Sequence, residues 1–289
     1  MILVFGATGT LGQALVRVAK NQGQAIKGVA RRGADYVGDL TDGKRVAALI
    51  DETRPTAVIN AAALTDISYC EQNYAAAEQV NAGGVANLVA ACRPKGIRFI
   101  QVSTDHFYTG DKAKLHKETA DVCLVNNYAR SKYAGERFAL TMDDALVVRT
   151  NLTGWRGWKS PTFIEWAVSS LEKAQPMTLF DDFFTSTIDA VSLADVILRL
   201  MGKRDVRGVL NIAAAGVASK RDFVRRLADE LKIPLQEQPG SVKSLAVPRA
   251  ESAGLDVSLC ETILGESLPK MEKIIGNLLT QRPKPADES

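Results

Sequence analysis

A doubly wound parallel α/β sheet with a smaller C-terminal α/β lobe is the fold class this sequence predicts, and three observations predict it. Short runs rich in apolar residues (2–5, 25–30, 57–60, 98–103, 145–149) alternate with stretches of helical periodicity. That is the pattern of parallel strands buried on both faces and joined by crossover helices. The first run, Ile2-Leu3-Val4-Phe5, passes directly into a glycine-rich turn that opens a helix. After Arg149 the character changes. A length of 289 residues suits such a unit with an appended lobe. The expected division is 1–150 for the sheet unit and 151–280 mainly for the lobe, some of whose segments return to the sheet. The polar tail 281–289, with two prolines, is expected to lack fixed structure.

Composition narrows the function. Hydrophobic residues make up 46% and charged residues 24%, the profile of a globular chain with a sizeable core. Lys and Arg number 36 against 33 acidic residues, a net charge of +3 that predicts neither a nucleic-acid nor a membrane partner. Cys70, Cys92, Cys123 and Cys260 are scattered without a CxxC pair, as reduced thiols would be. Cys123 lies five residues before Tyr128 and either lines a site or serves as a small apolar residue. The only histidines, His106 and His116, cannot form a metal cluster without carboxylate partners, and no metal is expected. Met1–Phe5 is too short for a signal-peptide core and no apolar stretch is long enough to span a bilayer, so a cytoplasmic location is expected.

The elements follow in order. Gly6-Ala7-Thr8-Gly9-Thr10-Leu11-Gly12 opens a helix with apolar residues at Leu11, Ala14, Leu15 and Val18. Its glycines permit a tight turn, close backbone approach to a pyrophosphate and close helix–strand packing, while the helix start offers unpaired N–H groups. A dinucleotide is the ligand such a turn predicts. The second strand, 25–30, runs into Arg31-Arg32-Gly33, where an NAD-preferring protein carries an acidic residue for the ribose 2′-hydroxyl. Two arginines there suit a 2′-phosphate, which favours NADP(H), with NAD(H) as the second choice. After a weak strand at Tyr36-Val37, Asp39 and Leu40 stand where an adenine ring would lie. Thr41 or Asp42 caps the next helix.

The strand 57–60 ends in Ala61-Ala62-Ala63, small residues that leave room for a cofactor at the carboxyl edge of the sheet. A long helical stretch from Cys70 to Cys92 is expected to break at Gly83-Gly84. Within it Asn81 either bonds backbone or is exposed. The strand 98–103 ends in Ser103-Thr104-Asp105, hydroxyls that would sit near a nicotinamide, although such residues also simply terminate strands. Next comes a helix from Tyr128 with Lys132 four residues on. That spacing puts both side chains on one face, where the ammonium is expected to draw the phenol's pKa down from about 10 and make Tyr128 a proton donor or acceptor. A sixth strand at 145–149 follows.

Beyond it, Trp155 and Trp158 are either core or a stacking surface, and Arg156 and Lys159 either solvated or phosphate-facing. Helical patterns at 163–173, 194–201, 220–231 and 269–279, with strands near 177–180 and 209–213, complete the lobe.

Taken together, the Gly6/Gly9/Gly12 turn, Ser103-Thr104 and the Tyr128/Lys132 pair resemble the extended short-chain dehydrogenase/reductases. More closely they resemble the dTDP-4-dehydrorhamnose reductase family. Ser103-Thr104-Asp105 with Gly110 fits that family's STD…G stretch, and Asn60–Ala63, Asp66, Cys70-Glu71 and Asn81 its segment after the fourth strand. Asp181, Asp182 and Thr187 fit its sugar-nucleotide loop, and Leu255-Asp256 its closing motif. The resemblance implies reduction of a 4-keto sugar nucleotide by NADPH. It makes Tyr128 the proton donor, Thr104 a second donor to the same oxygen and Lys132 the holder of the nicotinamide ribose. Cofactor contacts are implied at Gly6, Thr8, Gly9, Thr10, Leu11, Gly12, Arg31, Arg32, Asp39, Leu40, 61–63, Ser103, Tyr128 and Lys132. Substrate contacts are implied at Thr65, Thr104, Asp105, Asn151, Trp155 and Arg249. Arg156, Lys159 or Arg249 would meet the diphosphate.

The departures cluster around the sugar: His106 in place of tyrosine, the unusual Phe107-Tyr108-Thr109 and Trp155–Trp158, and Pro248-Arg249 in reversed order. A homodimer stays open, but the family's metal-linked dimer contact has no matching motif here. Two other readings exist, a non-catalytic NADP-binding regulator of a methionine adenosyltransferase and an NAD-retaining epimerase or dehydratase. The intact Thr104/Tyr128/Lys132 set argues against the first, and Arg31-Arg32 against the second.

Overall fold

The computed structural model describes residues 1–158 and 160–283. Seven parallel strands form the main sheet, in the order Gly208–Asn211, Leu146–Arg149, Arg98–Val102, Ala57–Asn60, Ile2–Phe5, Ile26–Ala30 and Tyr36–Val37. Ile2–Phe5 is buried throughout because both faces are covered. Ile2 and Val4 join one core with Leu11, Leu15, Leu193 and Ile197, whereas Leu3 and Phe5 join another with Leu49, Ile50, Val85 and Leu88. This is the two-residue alternation of a strand serving two layers. Chain order reverses beside it: Phe5 lies opposite Val29 on one side and Asn60 on the other. The carboxyl ends diverge there, which opens a crevice.

The helix expected from Cys70 to Cys92 breaks earlier than its glycines. Asn73 (φ −133°, ψ 59°) separates Ile67–Gln72 from Tyr74–Glu78, and a π-helical turn, Gln79–Gly83, continues directly into Gly84–Cys92. Gly84 is helical and serves packing: a Cβ there would lie 2.8 Å from the Leu40 Cβ. The π turn carries Asn81, which is buried. Its Oδ1 accepts from the Leu64 amide (2.8 Å), and its Nδ2 donates to the Leu64 carbonyl (3.0 Å) and to Ser131 Oγ (3.0 Å). Asn81 thus ties the loop after Asn60 to the Asn127–Ala139 helix.

The smaller lobe is interleaved with the sheet unit. Its four-stranded sheet runs Ala218–Ser219, Phe184–Thr185, Ser252–Leu255, Leu115–His116, so the last strand comes from the first half of the chain. Conversely, Gly208–Asn211 from the second half forms the edge of the main sheet. Asn151–Thr153 pairs in parallel with Thr187–Asp189. The Ala190–Leu200 helix, capped by Asp189 at the Ser192 amide, begins earlier than its apolar pattern indicates and packs on Thr10–Asn21. Gln281 and Arg282 were expected in an unstructured tail but are anchored: Gln281 Nε2 donates to Asp189 (3.1 Å), and Arg282 pairs with Glu172 (2.7 Å). Residues 284–289 of that tail, and Lys159, lie outside the described residues. No helix among the described residues is long and apolar enough to cross a membrane.

Candidate active site

A cleft of about 500 Å³ occupies the crevice at the carboxyl edge of the sheet. One end is the glycine turn. Gly6 adopts φ +81°, and a Cβ on it would lie 2.6 Å from the Ala62 amide nitrogen, so only glycine fits between the two loops. Gly12 does not line the cleft. It is buried beneath the turn, where a Cβ would collide with the Gly6 carbonyl. The Thr10–Asn21 helix starts at Gly9 without a side-chain cap, leaving its first amides without a local side-chain acceptor. Thr8, Gly9, Thr10, Leu11, Arg31, Asp39, Leu40 and 61–63 line this end. Asp39 holds the turn by accepting from the Thr41 amide (2.9 Å) and hydroxyl (2.8 Å). Asp42, not Thr41, caps the next helix through the Arg45 amide.

The other end brings Ser103, Thr104, Asp105, Tyr128, Lys132 and Asn151 together. Asn126 sets the pose of Tyr128 by capping its helix: Oδ1 accepts from the Ala129 amide (2.9 Å), and Nδ2 donates to His106 Nε2 (2.9 Å) and the Pro248 carbonyl (2.8 Å). His106 Nε2 also accepts from the Ala250 amide (3.3 Å). Two donors on one ring nitrogen require the neutral ring, and burial pushes its pKa down to about 4. The ring packs edge-on against Tyr128, with centroids 5.8 Å apart.

The expectation that Lys132 draws the Tyr128 pKa down is not met. Burial raises the phenol's pKa, and only the Thr104 hydroxyl, in hydrogen-bonding reach, opposes this. Lys132 instead donates to the Val102 carbonyl (2.9 Å), and burial pulls its own pKa down to about 8 against the pull of Glu136. Beneath them, Glu136 accepts from Ser103 Oγ (2.5 Å), Arg149 Nε (3.0 Å) and Arg149 Nη2 (2.8 Å), and Arg149 Nη1 donates to the Tyr108 hydroxyl (2.9 Å). Glu136 and Arg149 are 1% and 4% exposed, so this two-pronged pair is a buried floor under Ser103 and Lys132.

Four expected site residues lie elsewhere, Gly12 among them. Arg32 is exposed and outside the cleft, so only one arginine of the pair faces it. Trp155 turns its indole nitrogen to the Leu278 carbonyl (2.7 Å) and packs on the core. Arg249 donates to the nearby Val247 carbonyl (2.8 Å). Cys123 is exposed and does not line the cleft. Asp182 holds its own loop by accepting from Ser241 Oγ (2.5 Å) and the Val242 amide (2.8 Å). Of the tryptophan–arginine segment, Arg156 and Trp158 reach the cleft, the guanidinium 4.2 Å over the indole. Thr65 lies at that mouth, next to Asp66 and Leu152. Sequence reasoning did not single out Gly38, Val80, Leu152 or Thr150 as lining residues. Gly38 and Thr150 each lie one residue beyond a strand, Val80 sits in the π turn and Leu152 lies within the short strand Asn151–Thr153, positions that carry no chemical signal of their own. Among the described residues no three His, Cys, Asp or Glu side chains cluster to hold a metal.

Comparison with known proteins extends this picture. Residues 1–282 match the model of the RmlD substrate binding domain. A dTDP-4-keto-6-deoxy-D-glucose reductase of Streptomyces niveus is 32% identical over 91% of this chain and 88% of its own. A dTDP-4-dehydrorhamnose reductase of Burkholderia thailandensis is 32% identical over 86% of this chain and 82% of its own. In fold, the chain superposes on a dTDP-4-dehydrorhamnose reductase of Bacillus anthracis, solved in complex with NADP, with a TM-score of 0.89. That match covers 97% and 99% of the two chains at 22% identity. A hypothetical dTDP-4-dehydrorhamnose reductase of Sulfolobus tokodaii gives a TM-score of 0.84 at 28% identity, covering 93% of this chain and 96% of that one. With the family model matching residues 1–282 and relatives 32% identical over most of its length, the chain belongs to the RmlD substrate binding domain family.

Proposed function

We propose that the protein is a cytoplasmic NADPH-dependent reductase acting on the 4-ketone of a 6-deoxy sugar carried by a nucleoside diphosphate. The observation that carries this reading is the convergence of Thr104, Tyr128 and Lys132 at one end of a cleft whose other end is the Gly6 turn. The dinucleotide fits that turn. The missing Cβ at Gly6 and the uncapped helix start suit a diphosphate, and Arg31 suits a 2′-phosphate. When bound, NADPH supplies the hydride. Tyr128 is held protonated by burial and donates its proton to the ketone oxygen as negative charge grows there; Thr104 hydrogen-bonds the same oxygen. Lys132, anchored on the Val102 carbonyl, holds the nicotinamide ribose. Arg156 over Trp158 offers a cation to the substrate's diphosphate at the mouth. The four unbridged cysteines are in keeping with a reducing compartment.

A panel of nucleotide-sugar ketones assayed with NADPH and NADH tests this. A dTDP-linked 4-keto-6-deoxyhexose is expected to be reduced, and Tyr128→Phe is expected to lower kcat about 10²- to 10⁴-fold with the fold kept. Turnover by Tyr128→Phe equal to the parent refutes the proton-donor role.

A further inference from the structure

One polar chain, buried at Asp105 and Thr187 and half-buried at Asn151 and Lys220, leaves the cleft and ends in the smaller lobe. Asp105 Oδ2 accepts from Asn151 Nδ2 (2.9 Å), and Asn151 Oδ1 accepts from Thr187 Oγ1 (2.8 Å). With its single proton spent on Asn151, the Thr187 oxygen accepts the remaining two contacts, Lys220 Nζ (3.2 Å) and Thr185 Oγ1 (2.9 Å). Every donor in the series therefore points towards Asp105, and it begins at a cation. The Lys220 ammonium is walled by aromatic rings, 4.6 Å from the Phe163 centroid and 5.7 Å from Phe183. Lys220 does not line the cleft, whereas Asp105 and Asn151 do.

We propose that Lys220 is a positioning residue: through Thr187 and Asn151 it holds Asp105 as a fixed carboxylate that accepts a hydrogen bond from a sugar hydroxyl of the substrate. This rests on the reductase reading above. A carboxyl group 3% exposed needs a compensating charge: burial pushes the Asp105 pKa up to about 7, and Lys220 is the cation that opposes this rise. Among the described residues the other titratable groups facing Asp105 are Tyr128 from its helix and Tyr108 from the following loop, and neither is cationic. Asn151 donates to one Asp105 oxygen and the Thr104 hydroxyl lies 3.4 Å from the other, and each carboxylate oxygen keeps a lone pair that can accept from a sugar hydroxyl. The same negative charge opposes ionisation of Tyr128, so the chain also helps keep the proposed proton donor charged with its proton.

Lys220→Met, Thr187→Val and Lys220→Arg test the assignment. The first removes the cation, the second removes the relay hydroxyl at nearly constant volume, and the third restores the charge. Lys220→Met and Thr187→Val are expected to raise KM for the sugar ketone about tenfold, with kcat changed less and NADPH affinity unchanged. The acidic limb of kcat/KM should move to higher pH, and Lys220→Arg should recover most of both effects. Carbon-13 NMR of the Asp105 carboxyl in the full-length protein needs no turnover, so it reads the relay even if the substrate reading fails. Its titration should move to higher pH in both Lys220→Met and Thr187→Val. An Asp105 titration identical to the parent in those two variants overturns the relay. A displaced titration with unchanged KM overturns the hydroxyl-accepting role alone.

Discussion

Removing the Glu136 carboxylate offers the sharpest check on how the site is supported. In Glu136→Ala the Arg149 guanidinium, 4% exposed, keeps its bond to the Tyr108 hydroxyl but loses both contacts to the acid. Truncating one member of a buried, hydrogen-bonded ion pair costs about 3–5 kcal/mol, because the surviving charge stays in a poorly polarisable interior. For a chain of 289 residues the unfolding entropy is about 0.6 kcal/mol/K, which turns that loss into a fall in Tm of about 5–8 °C. Removing both partners in Glu136→Leu/Arg149→Met should regain most of it, since the stranded charge goes too. Ser103 loses its acceptor in either variant, so NADPH titration should show weaker binding in both, even where the Tm is restored. Differential scanning calorimetry with parallel NADPH titrations measures the two effects. A Glu136→Ala protein melting within about 1 °C of the parent, or a double variant melting lower than the single, would refute the argument.

Two further outcomes concern single side chains. His106 has a folded pKa near 4 against 6.5 for a free imidazole. Below pH 6.5 the unfolded chain takes up a proton that the folded chain refuses until about pH 4, so this group's contribution to stability is complete above 6.5 and drains away between those values. Urea melts of the parent and His106→Gln across that window should show the parent losing stability more steeply; parallel curves would exclude it. Arg31 lines the cleft and Arg32 does not, so Arg31→Ala should weaken NADPH by about 1.5–3 kcal/mol, roughly 10- to 150-fold in Kd, with little change for NADH. Arg32→Ala should leave both nearly untouched, and equal losses in the two variants would place the 2′-phosphate elsewhere.

The main sheet was legible because its strands are short, apolar and followed by turn chemistry; Ala57–Asn60 agrees to the residue. So was the glycine turn, since Gly6 at φ +81° is a requirement that sequence writes directly. What escaped depends on contacts between distant segments. The break at Asn73 and the π turn around Asn81 have no periodicity that single-sequence reading detects. Trp155 and Trp158 carry the same local signal, yet one bonds Leu278 and the other lines the cleft. Likewise, Tyr128 and Lys132 share a helix face, as spacing indicates, but the Val102 carbonyl claims the ammonium and burial governs the phenol. Spacing fixes who are neighbours; the solvent-free surroundings decide what each neighbour does.

The exchange of strands between the halves has a genetic consequence. Because Leu115–His116 completes the small sheet and Gly208–Asn211 completes the large one, a cut near residue 150 strands an edge on each fragment. The smaller lobe is therefore not a contiguous segment of the chain. Both halves have to stay in a single chain for either sheet to be complete, and the Arg156–Trp158 loop at the cleft can vary without breaking that exchange.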